Sequence, residues 1–105
     1  MKAFIAVSYH GDSCGLQAWK EIDIPFAPTP AIGITLVGNL TLHNEGNRMK
    51  VYWHVEDNRF VVHWRNDPAQ PPSSQSVAEQ LKAFEEDGWD ATTWGDIPAL
   101  EEDSP

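Results

Sequence analysis

The chain has 105 residues, 41% of them apolar, with five Trp, four Phe and two Tyr, which fits one domain with a modest core and argues against wholesale disorder. Its net charge of −9 disfavours direct contact with nucleic-acid phosphates or anionic lipid, because like charges repel. The single cysteine, Cys14, excludes an internal disulfide framework, and the apolar run Ala3–Val7 is too short for a signal peptide or a membrane span, so a cytoplasmic location is expected.

Lys2 to Tyr9 is apolar at nearly every position, as in a strand covered on both faces. His10-Gly11-Asp12-Ser13-Cys14-Gly15 is loop by composition. A second strand is predicted over about Trp19 to Phe26, with Ile22, Ile24 and Phe26 on one side and Glu21 and Asp23 on the other. Pro25 donates no ladder hydrogen bond and belongs near the strand end or on an edge, and Pro28-Thr29-Pro30 turns the chain. A third strand is predicted over about Ile32 to His43, with Ile34, Leu36, Leu40 and Leu42 on one face and Thr35, Val37, Asn39, Thr41 and His43 on the other.

Asn44-Glu45-Gly46-Asn47 and Asp57-Asn58 are the next turn signals. They frame a fourth strand with Met49, Val51, Trp53 and Val55 on one face, and a fifth with Phe60, Val62 and Trp64. With Asp57-Asn58 as a two-residue turn, Glu56 meets Arg59, Val55 meets Phe60, Trp53 meets Val62 and Val51 meets Trp64. With Asn44 to Asn47 closing the previous hairpin, Leu42 meets Met49, Leu40 meets Val51, and Gly38 leaves room for the Trp53 ring. The expected fold is therefore α+β and β-dominated: an antiparallel meander of about five strands, open or partly closed into a barrel, followed by a C-terminal helix.

Pro68 and Pro71-Pro72-Ser73-Ser74 exclude helix and inner strand. A helix follows over about residues 76–87, with Ser76 and Glu79 as a capping box, Val77, Leu81 and Phe84 as its apolar stripe, and Gly88 as its C′ residue. Residues 1–90 form the domain and 91–105 an acidic tail, either an irregular strap or mobile.

The charge is lopsided: residues 1–75 hold seven acids and six bases, whereas residues 76–105 hold nine acids and one base, Lys82. Glu85, Glu86 and Asp87 lie at the helix carboxyl end, where the macrodipole disfavours anions, a broken local rule that points to contacts elsewhere. Together with Trp89, Asp90, Trp94 and Asp96 they form the candidate partner-binding surface. The expected function is a non-catalytic acidic binding module, an inhibitor or immunity-type protein that covers the basic surface of a nucleic-acid-acting partner.

The meander register also gathers a polar sheet face: Asn39, Tyr52 and His63 in one row, Thr41, Lys50 and Arg65 beside it, and His54 diagonal to His63. That face can hold an anion, a partner's carboxylate or the chain's own acidic C-terminal segment, which would relieve the like-charged Lys50–Arg65 pair. It carries a second expectation, an accessory module pairing as a homodimer through the sheet. A third is a small ligand-binding or Cys/His enzyme using His10 and Cys14, or Tyr52, His54 and His63. No cofactor is expected, and no metal, since the histidines lack ligand spacing.

Overall fold

The computed structural model describes residues 1–98. The fold is β-dominated α+β, with seven strands and one helix among the described residues. Strands β1 (Lys2–His10) and β2 (Cys14–Asp23) form an antiparallel hairpin, in register from Lys2 opposite Asp23 to His10 opposite Gly15. Lys2 hydrogen-bonds Asp23 at the open end of this hairpin, and that bond and charge hold the Asp23 carboxyl below its usual range. Strands β3 (Ile34–Thr35) and β4 (Thr41–Leu42) form a separate short ribbon. Strands β5 (Met49–His54) and β6 (Arg59–Arg65) form the second hairpin, and helix α1 (Ser74–Glu86) leads into β7 (Asp90–Gly95).

The main sheet has the order β5-β6-β1-β2-β7. It is mixed, because β6 runs parallel to β1 while the other neighbours are antiparallel. The expected all-antiparallel meander is therefore corrected. The third predicted strand is not a sheet member at all. Gly38 and Asn39 both have left-handed backbone (φ 76° and 59°) inside a 3₁₀ turn, which folds the segment onto itself so that Ile34 meets Leu42. Gly38 faces the Gln80 side chain rather than Trp53, and Gln80 donates to the Val37 carbonyl at 2.9 Å. Ile34, Leu36 and Leu40 still turn together toward the core, with Leu42 fully buried in it.

α1 and the β3–β4 ribbon cover one face of the sheet, and the core lies between them: Ala3, Ile5 and Val7 of β1, Leu16 and Ala18 of β2, Val62 and Trp64 of β6, and Val77 and Phe84 of α1. Each large aliphatic group so buried contributes about 1.5–3 kcal/mol. Among the described residues the opposite face carries no second layer. No described helix is long and apolar enough to cross a membrane.

The helix begins two residues before its expected start. Ser73, not Ser76, is the N-cap, its Oγ accepting from the Ser76 N–H at 3.1 Å. Its other end follows the sequence reading: Gly88 takes φ 80°, its N–H bonds the Glu85 carbonyl, and the Trp89 N–H bonds the Phe84 carbonyl at 2.9 Å, the two bonds of a Schellman turn. A Cβ at Gly88 would meet nothing within 4 Å, so only the backbone conformation opposes a side chain. Gly88→Ala is expected to cost about 1–2 kcal/mol, read as a lower urea midpoint. An unchanged midpoint would mean that this turn does not hold the helix end.

The helix is not the last element. Residues 91–95, expected to begin an acidic tail, belong to the edge strand β7 (Asp90–Gly95), paired antiparallel with β2. The acids Glu101, Glu102 and Asp103 lie outside the described residues.

Candidate functional site

Side chains on the uncovered face follow from the ladders. β5 contributes Lys50, Tyr52 and His54, and β6 contributes Arg59, Val61, His63 and Arg65. The central strands add Phe4, Ala6, Ser8 and His10 from β1, and Gln17, Trp19 and Glu21 from β2. The β5–β6 register differs from the expected one by two residues: His54 meets Arg59, Tyr52 meets Val61, Lys50 meets His63 and Val51 meets Val62. The turn is four residues, Val55 to Asn58, closed by the Asn58 N–H on the Val55 carbonyl. A slip of two preserves the faces, because side chains alternate with period two. It does leave the hairpin tip in solvent, with Trp53 48% and Val55 79% exposed, although both were expected to face the core.

Over this face lies an open groove of about 640 Å³, lined by Arg48, Lys50, Tyr52, His54, His63 and Arg65, with Ser8, Asn47, Val61 and Trp64 completing its walls and floor. Five of the predicted polar-face residues are thus brought together. Asn39 is not, because it sits in the 3₁₀ turn of the β3–β4 ribbon. Lys50 and Arg65 are diagonal neighbours rather than opposite each other. Arg48, Asn47 and Ser8 were missed. Arg48 shares the even-numbered side with Lys50, Tyr52 and His54, so alternation alone could have found it.

The electrostatics of the groove are unusual for so acidic a chain. Five of the seven Lys and Arg residues make ion pairs among the described residues: Lys2 with Asp23, Lys20 with Asp87, Arg48 with Asp67, Arg59 with Glu21 and Lys82 with Glu86. Lys50 and Arg65 make none, and both lie in the groove. The Arg65 N–H bonds the Arg48 carbonyl at 3.3 Å, which sets the two arginines across from each other, and Lys50 faces His63. Asp67 offsets the Arg48 charge, which leaves the Lys50 and Arg65 charges without an anion among the described residues. Tyr52 and His63 meet edge to face with ring centroids 6.0 Å apart. Below the groove, Arg59 lies over the Phe4 ring at 4.7 Å and bonds Glu21, which neutralises that end of the face.

The predicted partner-binding residues divide differently. Trp89 is buried against Phe84, with centroids 4.7 Å apart, and its indole N–H bonds Asp87, so it is a core residue and not an exposed anchor. Asp87 also takes Lys20 through its carbonyl and carboxylate. Glu85, Glu86, Asp90 and Asp96 are exposed. Trp94 is 40% exposed, packs against Gly15, where a Cβ would collide with the indole, and meets the His10 ring edge to face with centroids 4.8 Å apart. Cys14 is only 2% exposed, a core thiol away from solvent. Among the described residues no group of His, Cys, Asp and Glu has metal-binding geometry. No family model matches the chain, and neither a curated protein nor a solved structure is significantly similar to it.

Proposed function

We propose that the protein is a non-catalytic binding module that captures an anionic partner in the basic groove of its open sheet face. One observation carries this reading: the two cations without an ion pair among the described residues converge on one groove that no described element covers. Free charges of one sign in a shallow concavity attract the opposite charge, and Arg65 supplies a planar donor fork suited to carboxylate or phosphate. Ser8, Asn47 and Tyr52 add neutral hydrogen-bonding groups around them.

The test is fluorescence anisotropy with a labelled octaglutamate at low and high salt. The probe must approach a protein of charge −9, so its capture has to be local. Saturable binding that weakens with salt is expected, and no binding at low salt would overturn the reading.

A second reading keeps the acidic surface as the contact, against a basic patch on a nucleic-acid-acting protein. Exposure of Glu85, Glu86, Asp90, Asp96 and part of Trp94 along the α1–β7 side favours it. It requires one-to-one capture of a labelled octalysine that is lost on reversing Glu85, Glu86 and Asp90 to lysine. Octalysine binding that survives those reversals would be diffuse attraction and would remove this reading.

A further inference from the structure

β5 is an edge strand, and its hydrogen-bonding phase can be read directly. The Arg65 N–H to Arg48 carbonyl bond makes 48–65 a hydrogen-bonded pair, so by alternation 50–63, 52–61 and 54–59 are also bonded pairs. The main-chain groups of Met49, Val51 and Trp53 therefore point away from β6. Met49 confirms this phase, because its N–H is taken from outside the sheet by the Asn44 side chain at 3.2 Å. No hydrogen bond among the described residues reaches the outward groups of Val51 or Trp53. Among the described residues the edge's only usual protection is the charge of Lys50. Its neighbouring side chains are aromatic and half-exposed (Tyr52 and Trp53, 48% each), and no proline or bulge interrupts it.

We propose that this edge accepts an extended acidic segment of a partner protein as a sixth strand, with carboxylates on the groove side and apolar groups on the other. The inference rests on the groove being an anion site, and adds what kind of anion fills it and how. The register dictates the pattern. A residue opposite Lys50 or Tyr52 projects onto the open face, beside the unpaired Lys50 and within reach of Arg65. A residue opposite Val51 or Trp53 projects to the other face, onto the half-buried Val51 and the exposed part of the Trp53 ring. Charge on one side and apolar surface on the other thus select a strand that alternates acid and aliphatic. Main-chain bonds to Val51 and Trp53 supply affinity, and the alternating side chains supply selectivity.

The test leaves the protein untouched and alters the ligand. The probe is a labelled seven-residue peptide alternating glutamate and valine, used plain, with its valine nitrogens methylated, or with its glutamate nitrogens methylated. A strand added to β5 turns only one alternate set of N–H groups toward the edge. One methylated form should bind about tenfold more weakly or worse, the loss of one to two hydrogen bonds, and the other should bind like the parent. Loss from the valine set denotes antiparallel addition, and loss from the glutamate set parallel addition. Equal affinities for the two methylated forms overturn strand addition. If octaglutamate binds meanwhile, the groove reading stands without it, and if neither peptide binds, both fall. Sedimentation of the chain alone tests the other occupant. A dimer that dissociates as the peptide binds would place a second copy on this edge and overturn the choice of partner.

Discussion

Phe84→Ala should cost about 3–5 kcal/mol, the range for deleting a large buried aromatic side chain. Phe84 is completely buried, its ring lies against Trp89, and its carbonyl receives the Trp89 N–H that closes the helix. The residue therefore joins α1 to the sheet and fixes how the chain enters β7. Native domains of this size hold only about 5–15 kcal/mol in all, so the urea midpoint should fall by about a fifth or more at a nearly constant slope. A loss below about 1 kcal/mol, the scale of a surface change, would mean that the helix is not docked as described. The groove lies on the opposite face, whereas the main strand contacts of α1 are with β2 and β7. Below its lowered melting temperature, the variant should bind octaglutamate with unchanged affinity.

How far the fold could be read from the sequence depended on the range of the signal. β1 was legible because a central strand is apolar on both faces, and the Gly88 helix end because only glycine takes that backbone cheaply. The β5–β6 hairpin was legible in its faces but not in its register. A two-residue turn of the favoured type needs positive φ at both positions, and among Val55 to Asn58 only Asn58 has it, so the loop widens to four residues. The parallel pairing of β1 with β6 left no trace, since it joins residues 57 positions apart with no turn between them. Gly38-Asn39 is a turn signal, whereas the expected strand uses Gly38 as room for the Trp53 ring and Asn39 as a polar-face residue. The two consecutive left-handed residues fold the segment back and end the meander.

The candidate site was legible to the same degree. Alternation along β5 and β6 was enough to put Lys50, Tyr52, His54, His63 and Arg65 on one face, because an error of two residues leaves faces unchanged. Asn39 fell away because its membership depended on the strand that does not form. Trp89 fell away because a tryptophan just past a helix end folds back onto the last turn, as the spacing to Phe84 and Gly88 already implied. No reading of sequence alone could find which cations lack an ion pair. Lys20–Asp87 and Arg59–Glu21 join residues far apart in the chain, and only after such pairs are made do Lys50 and Arg65 stand out.

Lys50→Glu should stabilise the fold and abolish capture of anions, an opposition that separates a binding site from an indifferent surface. Lys50 faces His63, lies diagonal to Arg65 and shares its side of the sheet with Arg48. A carboxylate there would turn repulsive neighbours into attractive ones, at about 0.2–1 kcal/mol for each cross-strand pair converted. The urea midpoint should therefore rise. The same change removes a charge-assisted donor worth about 1.5–3 kcal/mol and puts a repelling charge in its place, so octaglutamate affinity should drop at least tenfold, the equivalent of about 1.4 kcal/mol. A Lys50→Glu protein that is less stable than its parent would show that Lys50 is not repelled by the neighbouring arginines, and one that still holds octaglutamate would show that the groove is not where anions bind.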